Sequence, residues 1–185
     1  MTRLQIRDAS TADFPVIVAL NTQQVEHTSV MDLPRLGHLA TLAWCLRVAV
    51  VGGEVGGFLL AMRRGCGYAN ANFEWFQARC ADFAYIDRVV VDARLQGQGL
   101  GAALYRDLFA RTQQAGIARV TCEYNQVPLN AGSAAFHARM GFEEAGRQWL
   151  GEGKQVSMQW RSLDAPDHHQ PNGGGPQPAP GPGPK

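Results

Sequence analysis

The chain has 185 residues, 45% of them hydrophobic, which is enough for one buried core and is the usual size of a single domain. Its formal net charge is +1, so no broad electrostatic field points to nucleic acid or an anionic membrane as the main partner. With no run of 18 apolar residues and no apolar signal segment at the start, we expect a cytoplasmic protein without a membrane partner.

Composition also divides the chain into two parts. The last 21 residues, 165–185, hold seven of the ten prolines and five glycines, and almost no apolar side chains that would favour ordering. We therefore predict one folded domain over residues 1–164 and a disordered tail over residues 165–185. The four cysteines form no Cys-x-x-Cys pair, so we expect reduced thiols and no metal site.

The first half of the domain shows alternating strand and helix patterns. Apolar spacing and caps predict a strand over Leu4–Arg7 and helices over Thr11–Asn21 and Asp32–Leu42. Strands over Leu46–Val51 and Glu54–Met62 flank Gly52-Gly53, which predicts a hairpin with a two-residue turn.

The stretch 65–82 follows neither period, so we predict a loop or a short helical turn. Its aromatic residues either line a substrate pocket or cover one end of the core, and both interpretations remain open. The rest of the chain is predicted to alternate again: strand Phe83–Val91, helix Gly99–Ala115 closed by Gly116, strand Ile117–Tyr124, helix Ala131–Met140, and strands Phe142–Trp149 and Gln155–Trp160.

A glycine-rich loop separates the strand that ends at Val91 from the helix after it. Gly97, Gly99 and Gly101 leave the first turn of that helix without obstructing side chains. Unpaired N–H groups and the positive end of the helix dipole meet there, which is a favourable site for phosphate. The same glycines would also suit a surface turn, or the dinucleotide pattern Gly97-x-Gly99-x-x-Ala102, although that fingerprint needs a tighter turn after its strand.

Two motifs resemble those of the GCN5-related N-acetyltransferase (GNAT) superfamily. The first is Gln96-x-x-Gly99-x-Gly101, and the second is Asn130-x-x-Ser133-x-x-Phe136-His137-x-x-x-Gly141-Phe142. They stand in the family's order and spacing and, with the segment between them, cover residues 83–142. Within the family, the phrases Tyr-Ile-Asp-Arg-Val-Val-Val and Phe-His-x-x-x-Gly-Phe are most similar to a bacterial branch of predicted acetyltransferases.

The resemblance implies an α/β (α+β) fold with a mixed, mostly antiparallel, twisted sheet of about seven strands, flanking helices, and splayed fourth and fifth strands. It implies an N-acetyltransferase that moves an acetyl group from acetyl-CoA, as cosubstrate, to an amine-bearing substrate in a ternary complex without a metal. Family members often form homodimers, so a homodimer is one expected assembly. The acetyl-CoA would lie against Val89, Val90, Val91, Gln96, Gly97, Gln98, Gly99, Leu100, Gly101, Ala102 and Asn130.

Amine attack also needs a proton acceptor, because a primary amine with a pKa near 10 is almost fully protonated at neutral pH. Glu123 and Asp87, each within a mostly apolar strand, are the candidate bases. Strand alternation predicts that Asp87 shares a face with Tyr85, Val89 and Val91. Ion pairs with Arg119 and Arg88 are the structural alternative for these carboxylates.

His137 stands where the family usually has the tyrosine that protonates the departing thiolate. A histidine can serve as that acid or as a base, so His137 is the third candidate catalytic residue. Alternatively, His137 only packs on its helix and leaves protonation to water, Tyr85 or Tyr124. Loss of the usual tyrosine also leaves open a non-catalytic acyl-CoA binding or sensing module.

Overall fold

Seven strands form one sheet in the computed structural model, which describes residues 3–24, 29–151 and 153–163. The predicted tail over residues 165–185 lies outside the described residues. The strands are β1 (Leu4–Asp8), β2 (Cys45–Val51), β3 (Glu54–Arg63), β4 (Ala84–Val91), β5 (Arg119–Val127), β6 (Glu143–Leu150) and β7 (Lys154–Ser162). Their order is β1-β2-β3-β4-β5-β7-β6, and the pairs are antiparallel except β4 with β5.

Five α-helices accompany the sheet in the described residues: α1 (Phe14–Thr22), α2 (Leu33–Leu42), α3 (Ala71–Gln77), α4 (Leu100–Gln114) and α5 (Ala131–Arg139). The first predicted helix begins differently, since Thr11–Asp13 forms a 3-10 turn before α1. Helix α3 lies in the stretch 65–82, for which we predicted a loop or a short helical turn. It starts where the Asn70 side chain accepts hydrogen bonds from the N–H groups of Asn72 and Phe73.

The core consists of two apolar clusters, one on each face of the sheet. The first joins α1, α2 and α3 to inward side chains such as Phe58, Tyr85 and Met158. The second joins α4 to side chains of the opposite face, including Leu59, Ile86 and Cys122. We call these the α1–α3 face and the α4 face. Because Tyr85 and Ile86 are neighbours on β4, the two clusters follow the alternation of a strand that is buried on both sides.

The parallel pair at the centre of the sheet is very short. Strands β4 and β5 pair only at Ala84 with Val120 and at Tyr85 with Thr121. Beyond Tyr85, β4 stays paired with β3, and β5 stays paired with β7. The strands therefore part like a V, which confirms the predicted mixed, mostly antiparallel sheet with splayed fourth and fifth strands.

A β-bulge lies where the V opens. Leu60 of β3 pairs with Arg88, and the next residue, Ala61, pairs with Ile86, so Asp87 has no opposite partner. The extra residue reverses the alternation of β4. The prediction that Tyr85, Val89 and Val91 share one face was wrong, because Tyr85 packs on the α1–α3 face while Val89 and Val91 pack on the α4 face.

Candidate functional site

A cavity of about 520 Å³ occupies the opening between β4 and β5. It is lined by residues from both faces of the sheet. Residues from the α1–α3 side are Gln24, Ser29, Tyr68, Asn70, Asn72, Asp87, Arg88, Glu123, Leu150, Lys154 and Val156. Residues from the α4 side include Ile86, Val89, Tyr105, Cys122, Tyr124, Asn130, Ser133 and His137.

The glycine loop leads into α4 on that second side. Gly97 and Gly99 have φ of 76° and 85°, a left-handed conformation that strains other residues. A Cβ at either position would meet nothing within 4 Å, so the loop faces open space. Side chains of Asp32, Asn70 and Asn130 cap α2, α3 and α5, whereas no side chain caps α4. The first N–H groups of α4 are therefore available to an anion, and the loop fits a diphosphate.

The other residues predicted to contact acetyl-CoA divide into two groups. Gln96 and Gln98 are exposed in the loop, Ala102 is half-buried in the first turn of α4, and Gly101 packs 3.7 Å from the Phe136 ring, measured from its ideal Cβ position. In contrast, Leu100 and Val90 bury their side chains in the two core clusters, which leaves only their backbone for a ligand. Asn130 lines the cavity, and its Oδ1 accepts a 2.9 Å hydrogen bond from the N–H of Ser133.

Glu123 reaches the α1–α3 side of the cavity from β5. Its Oε1 accepts hydrogen bonds from the Tyr85 hydroxyl at 3.0 Å and from Asn72 Nδ2 at 2.8 Å. Its Oε2 is buried and has no hydrogen-bond partner among the described residues. Burial raises the pKa of Glu123 to about 7, although the two hydrogen bonds act in the opposite direction. A carboxyl group with these properties can accept a proton near neutral pH.

Asn72 is a residue of the candidate site that the sequence did not reveal. It stands on α3, and while its Nδ2 donates to Glu123, its Oδ1 accepts from Gln148 Nε2 of β6 at 3.0 Å. These contacts cross 51 and 76 residues of chain, so no local pattern indicates them. The Asn70 cap was the available signal, because an Asn before a helical turn marks where that turn begins.

Replacing Asn72 by Leu should raise the pKa of Glu123 above its value of about 7, since the lost amide donor favours the ionised form. The measurement is an NMR titration of the Glu123 carboxyl carbon in labelled protein. Gln148→Leu is the matched control, because it leaves the donor on Glu123 and is expected to change the pKa less. A lower pKa in Asn72→Leu would contradict the assignment.

Asp87, the other candidate base, has both carboxylate oxygens occupied. Its Oδ1 accepts from the Tyr68 hydroxyl, and its Oδ2 lies 2.8 Å from Arg88 Nε. Both charged side chains are buried, with 4% of Asp87 and 6% of Arg88 exposed. Arg88 also donates to Asn21 Oδ1 and to the backbone and hydroxyl oxygens of Ser29. The arrangement is an ion pair that ties β4 to the segments on either side of residues 25–28.

His137 is buried on α5, and both of its ring nitrogens have partners. Nδ1 lies 2.8 Å from the carbonyl oxygen of Ser133, which can only accept, so this nitrogen carries the proton. Nε2 then accepts from the Tyr105 hydroxyl at 2.9 Å. Burial lowers the pKa of His137, so the ring is neutral at neutral pH. Tyr105 was not identified from the sequence, because its contact with His137 spans 32 residues.

Tyr124 of β5 lies against His137 in the same wall. Its ring stacks on the imidazole with centroids 5.7 Å apart and an interplanar angle of 18°. Tyr124 lines the cavity, and its hydroxyl has no hydrogen-bond partner among the described residues. Tyr124 and His137 therefore form one part of the cavity wall beside α5.

The described residues contain neither a metal-binding cluster nor a membrane-spanning helix. No group of three or more His, Cys, Asp or Glu side chains is placed to hold a metal ion. None of the described helices is both long enough and apolar enough to cross a membrane.

We compared the sequence and the fold with those of known proteins. The sequence profile described as the Acetyltransferase (GNAT) family matches residues 22–142. A search of curated proteins gave no significant match. Many solved structures share the fold, and three of them illustrate the similarity.

Ribosomal-protein-S18-alanine N-acetyltransferase from Escherichia coli is 17% identical with a TM-score of 0.66, covering 91% of this chain and 99% of its own. Ribosomal-protein-alanine N-acetyltransferase from Brucella melitensis is 22% identical with a TM-score of 0.65, and the match covers 86% of this chain and 99% of that protein. The yncA protein of Salmonella typhimurium, solved with its cofactor acetyl-CoA, is 22% identical with a TM-score of 0.64. The match covers 92% of this chain and 98% of that protein. At these identities the similarity establishes the fold.

Proposed function

The chain belongs to the acetyltransferase (GNAT) family, and from that premise we propose that it is an N-acetyltransferase acting on an amine by direct attack in a ternary complex. The observation that supports this most is the cavity between β4 and β5, which Glu123 lines, together with the uncapped glycine loop that leads from β4 into α4. A cytoplasmic location and a homodimer stay predictions from the sequence.

The residues present fit acetyl-CoA, which supplies an activated acetyl group as a thioester when bound. The free N–H groups of Gly99 to Ala102 would hold the diphosphate. Val89 and Val91 follow the bulge, where β4 has no β5 partner, so their backbone can pair with an extended arm as an added strand would. Asn130 and Ser133 line the same wall.

Glu123 is the proposed general base. An amine with a pKa near 10 is about one part in a thousand free at neutral pH, a deficit of roughly 4 kcal/mol. Glu123 offers the buried Oε2 to the ammonium proton, directly or through one water, while Tyr85 and Asn72 hold Oε1. Asp87 keeps the role of an alternative base, which would require it to exchange one of its two partners.

The departing thiolate needs a proton, and two residues are candidates for giving it. His137 stands at the family's acid position, but its neutral ring carries its proton on Nδ1, which points to Ser133. Tyr124 lines the cavity, and its hydroxyl has no hydrogen-bond partner in the part of the chain that the structure describes. We therefore propose Tyr124 as the proton donor, with His137 as the positioning residue that stacks on its ring.

Removing the Tyr124 hydroxyl should lower kcat about 100-fold, the size expected for one general acid. The comparison is Tyr124→Phe against His137→Gln, which keeps a polar planar side chain at the stacking position. Single-turnover thiol release and the KM for acetyl-CoA are measured for both. If His137→Gln shows the larger loss in kcat and Tyr124→Phe retains activity, His137 is the donor.

Thiol release from acetyl-CoA across a panel of amines tests the function as a whole. We expect amine-dependent release, together with the acetylated amine by mass spectrometry. Binding of acetyl-CoA without release for any amine would support the alternative, a non-catalytic acyl-CoA sensing module. Failure to bind acetyl-CoA would contradict both.

A further inference from the structure

Resting on the proposed function, we infer that the acceptor is an amine that also carries a carboxylate, and that Lys154 binds this carboxylate. Lys154 is the first residue of β7 and lines the cavity on the same side as Glu123. No described residue forms a hydrogen bond or an ion pair with its ammonium group. The inference rests on the charges that surround the acceptor side of the cavity.

Among the described residues, four charged side chains line that side: Asp87, Arg88, Glu123 and Lys154. Asp87 and Arg88 neutralise each other at 2.8 Å and have further partners in Tyr68, Asn21 and Ser29. They leave no net charge for a ligand. Glu123 and Lys154 are left as the pair that a substrate would meet.

The two remaining groups suit a zwitterion. An amine arrives as a cation at neutral pH, and the Lys154 charge would repel it unless the same molecule carried an anion. An ammonium beside Glu123 and a carboxylate beside Lys154 satisfy both groups, since charge-assisted hydrogen bonds are the stronger ones. The rest of this side is polar, with Asn70, Asn72 and Ser29 among its residues.

The strand register separates the two groups by a length that such a molecule can span. Glu123 pairs with Met158, and Lys154 lies four residues from Met158 on the same face of β7. At about 3.3 Å per residue, the Cα atoms of Met158 and Lys154 are roughly 13 Å apart. Glu123 and Lys154 both line the cavity. The Lys154 charge also lowers the pKa of Glu123, so the two groups influence each other electrostatically.

The test uses amino acids paired with their own primary amides, with one to five carbons between the amine and the carboxyl carbon. The two members of a pair have the same chain length, and only one of them carries the anionic charge. We expect the best amino acid to exceed its amide about tenfold in kcat/KM with the wild-type protein. Lys154→Met should reduce that preference to about twofold or less, and Lys154→Arg should restore most of it, with acetyl-CoA affinity unchanged.

Arg147→Met is the matched control, because Arg147 lies on the opposite face of the sheet in an ion pair with Glu144. It removes one positive charge and should keep the preference for the carboxylate. Equal use of acids and amides by the wild type, or an unchanged preference in Lys154→Met, would overturn the inference while thiol release with other amines upholds the proposed function. Absence of thiol release with every amine would overturn both.

Discussion

Replacing Glu123 by Gln is expected to lower kcat/KM for the amine by about 100-fold to 10,000-fold, the contribution of a positioned general base. The amide keeps the shape of the side chain and can still accept from Tyr85, so the fold and the dissociation constant of acetyl-CoA should not change. Steady-state kinetics of thiol release and calorimetric binding of acetyl-CoA measure the two quantities separately.

The pH dependence gives the same prediction a second measurement. Glu123 acts as a base only when ionised, so below its pKa of about 7 the kcat/KM should fall about tenfold for each pH unit. Near pH 10 the substrate loses its ammonium form, so kcat/KM should fall again at higher pH. In Glu123→Gln the change in kcat/KM near pH 7 should disappear. The remaining activity should rise with pH as the fraction of unprotonated amine increases.

Two further variants make this prediction specific. Glu74→Gln alters an exposed carboxylate on α3 and should leave the whole pH profile in place. Asp87→Asn tests the other candidate base. If Asp87→Asn removes the limb near pH 7 while Glu123→Gln keeps it, the base is Asp87 and the assignment of Glu123 is wrong.

Replacing Gly99 by Val is expected to weaken acetyl-CoA binding about 100-fold or more. Gly99 has a φ of 85°, and a β-branched residue there costs about 1–3 kcal/mol in backbone strain. Relief of that strain would move the N–H groups at the start of α4, and the new side chain would stand in the open space before them. Both effects act on the diphosphate, so titration calorimetry with acetyl-CoA is the direct measurement.

Gly116→Val separates this effect from general instability. Gly116 follows the other end of α4 with a φ of 69° and open space around its Cβ position, so its substitution brings comparable strain. The two variants should lose similar thermal stability, but Gly116→Val should bind acetyl-CoA as the wild type does. Equal affinity in the two variants would mean that the glycine loop does not hold the diphosphate.

Local features of the fold could be predicted from the sequence because each depends on a few adjacent residues. The β2–β3 hairpin is the best example, since both Gly52 and Gly53 have positive φ, as a two-residue turn requires. The V-shaped opening followed from the family resemblance and is confirmed by the two-residue pairing of β4 with β5. The strand order β5-β7-β6 has no counterpart in local sequence.

Less of the site could be predicted, because its main contacts join residues that are far apart in the sequence. Asn72 and Glu123 meet across 51 residues, and α3, with seven residues, is too short to show a helical period. The bulge at Asp87 reverses which side chains of β4 enter each face, and alternation cannot reveal an extra residue. His137 was noticed as a departure from a family motif, but its link to Tyr105 depends on how α4 and α5 pack.

The gap between β4 and β5 is lined by residues from both faces of the sheet. Under the proposed function, acetyl-CoA would lie on the α4 side and the amine on the α1–α3 side, so both could be bound at the same time. Direct transfer of this kind would need no side chain that stores the acyl group. The short stretch of missing strand pairing is the feature that would allow it.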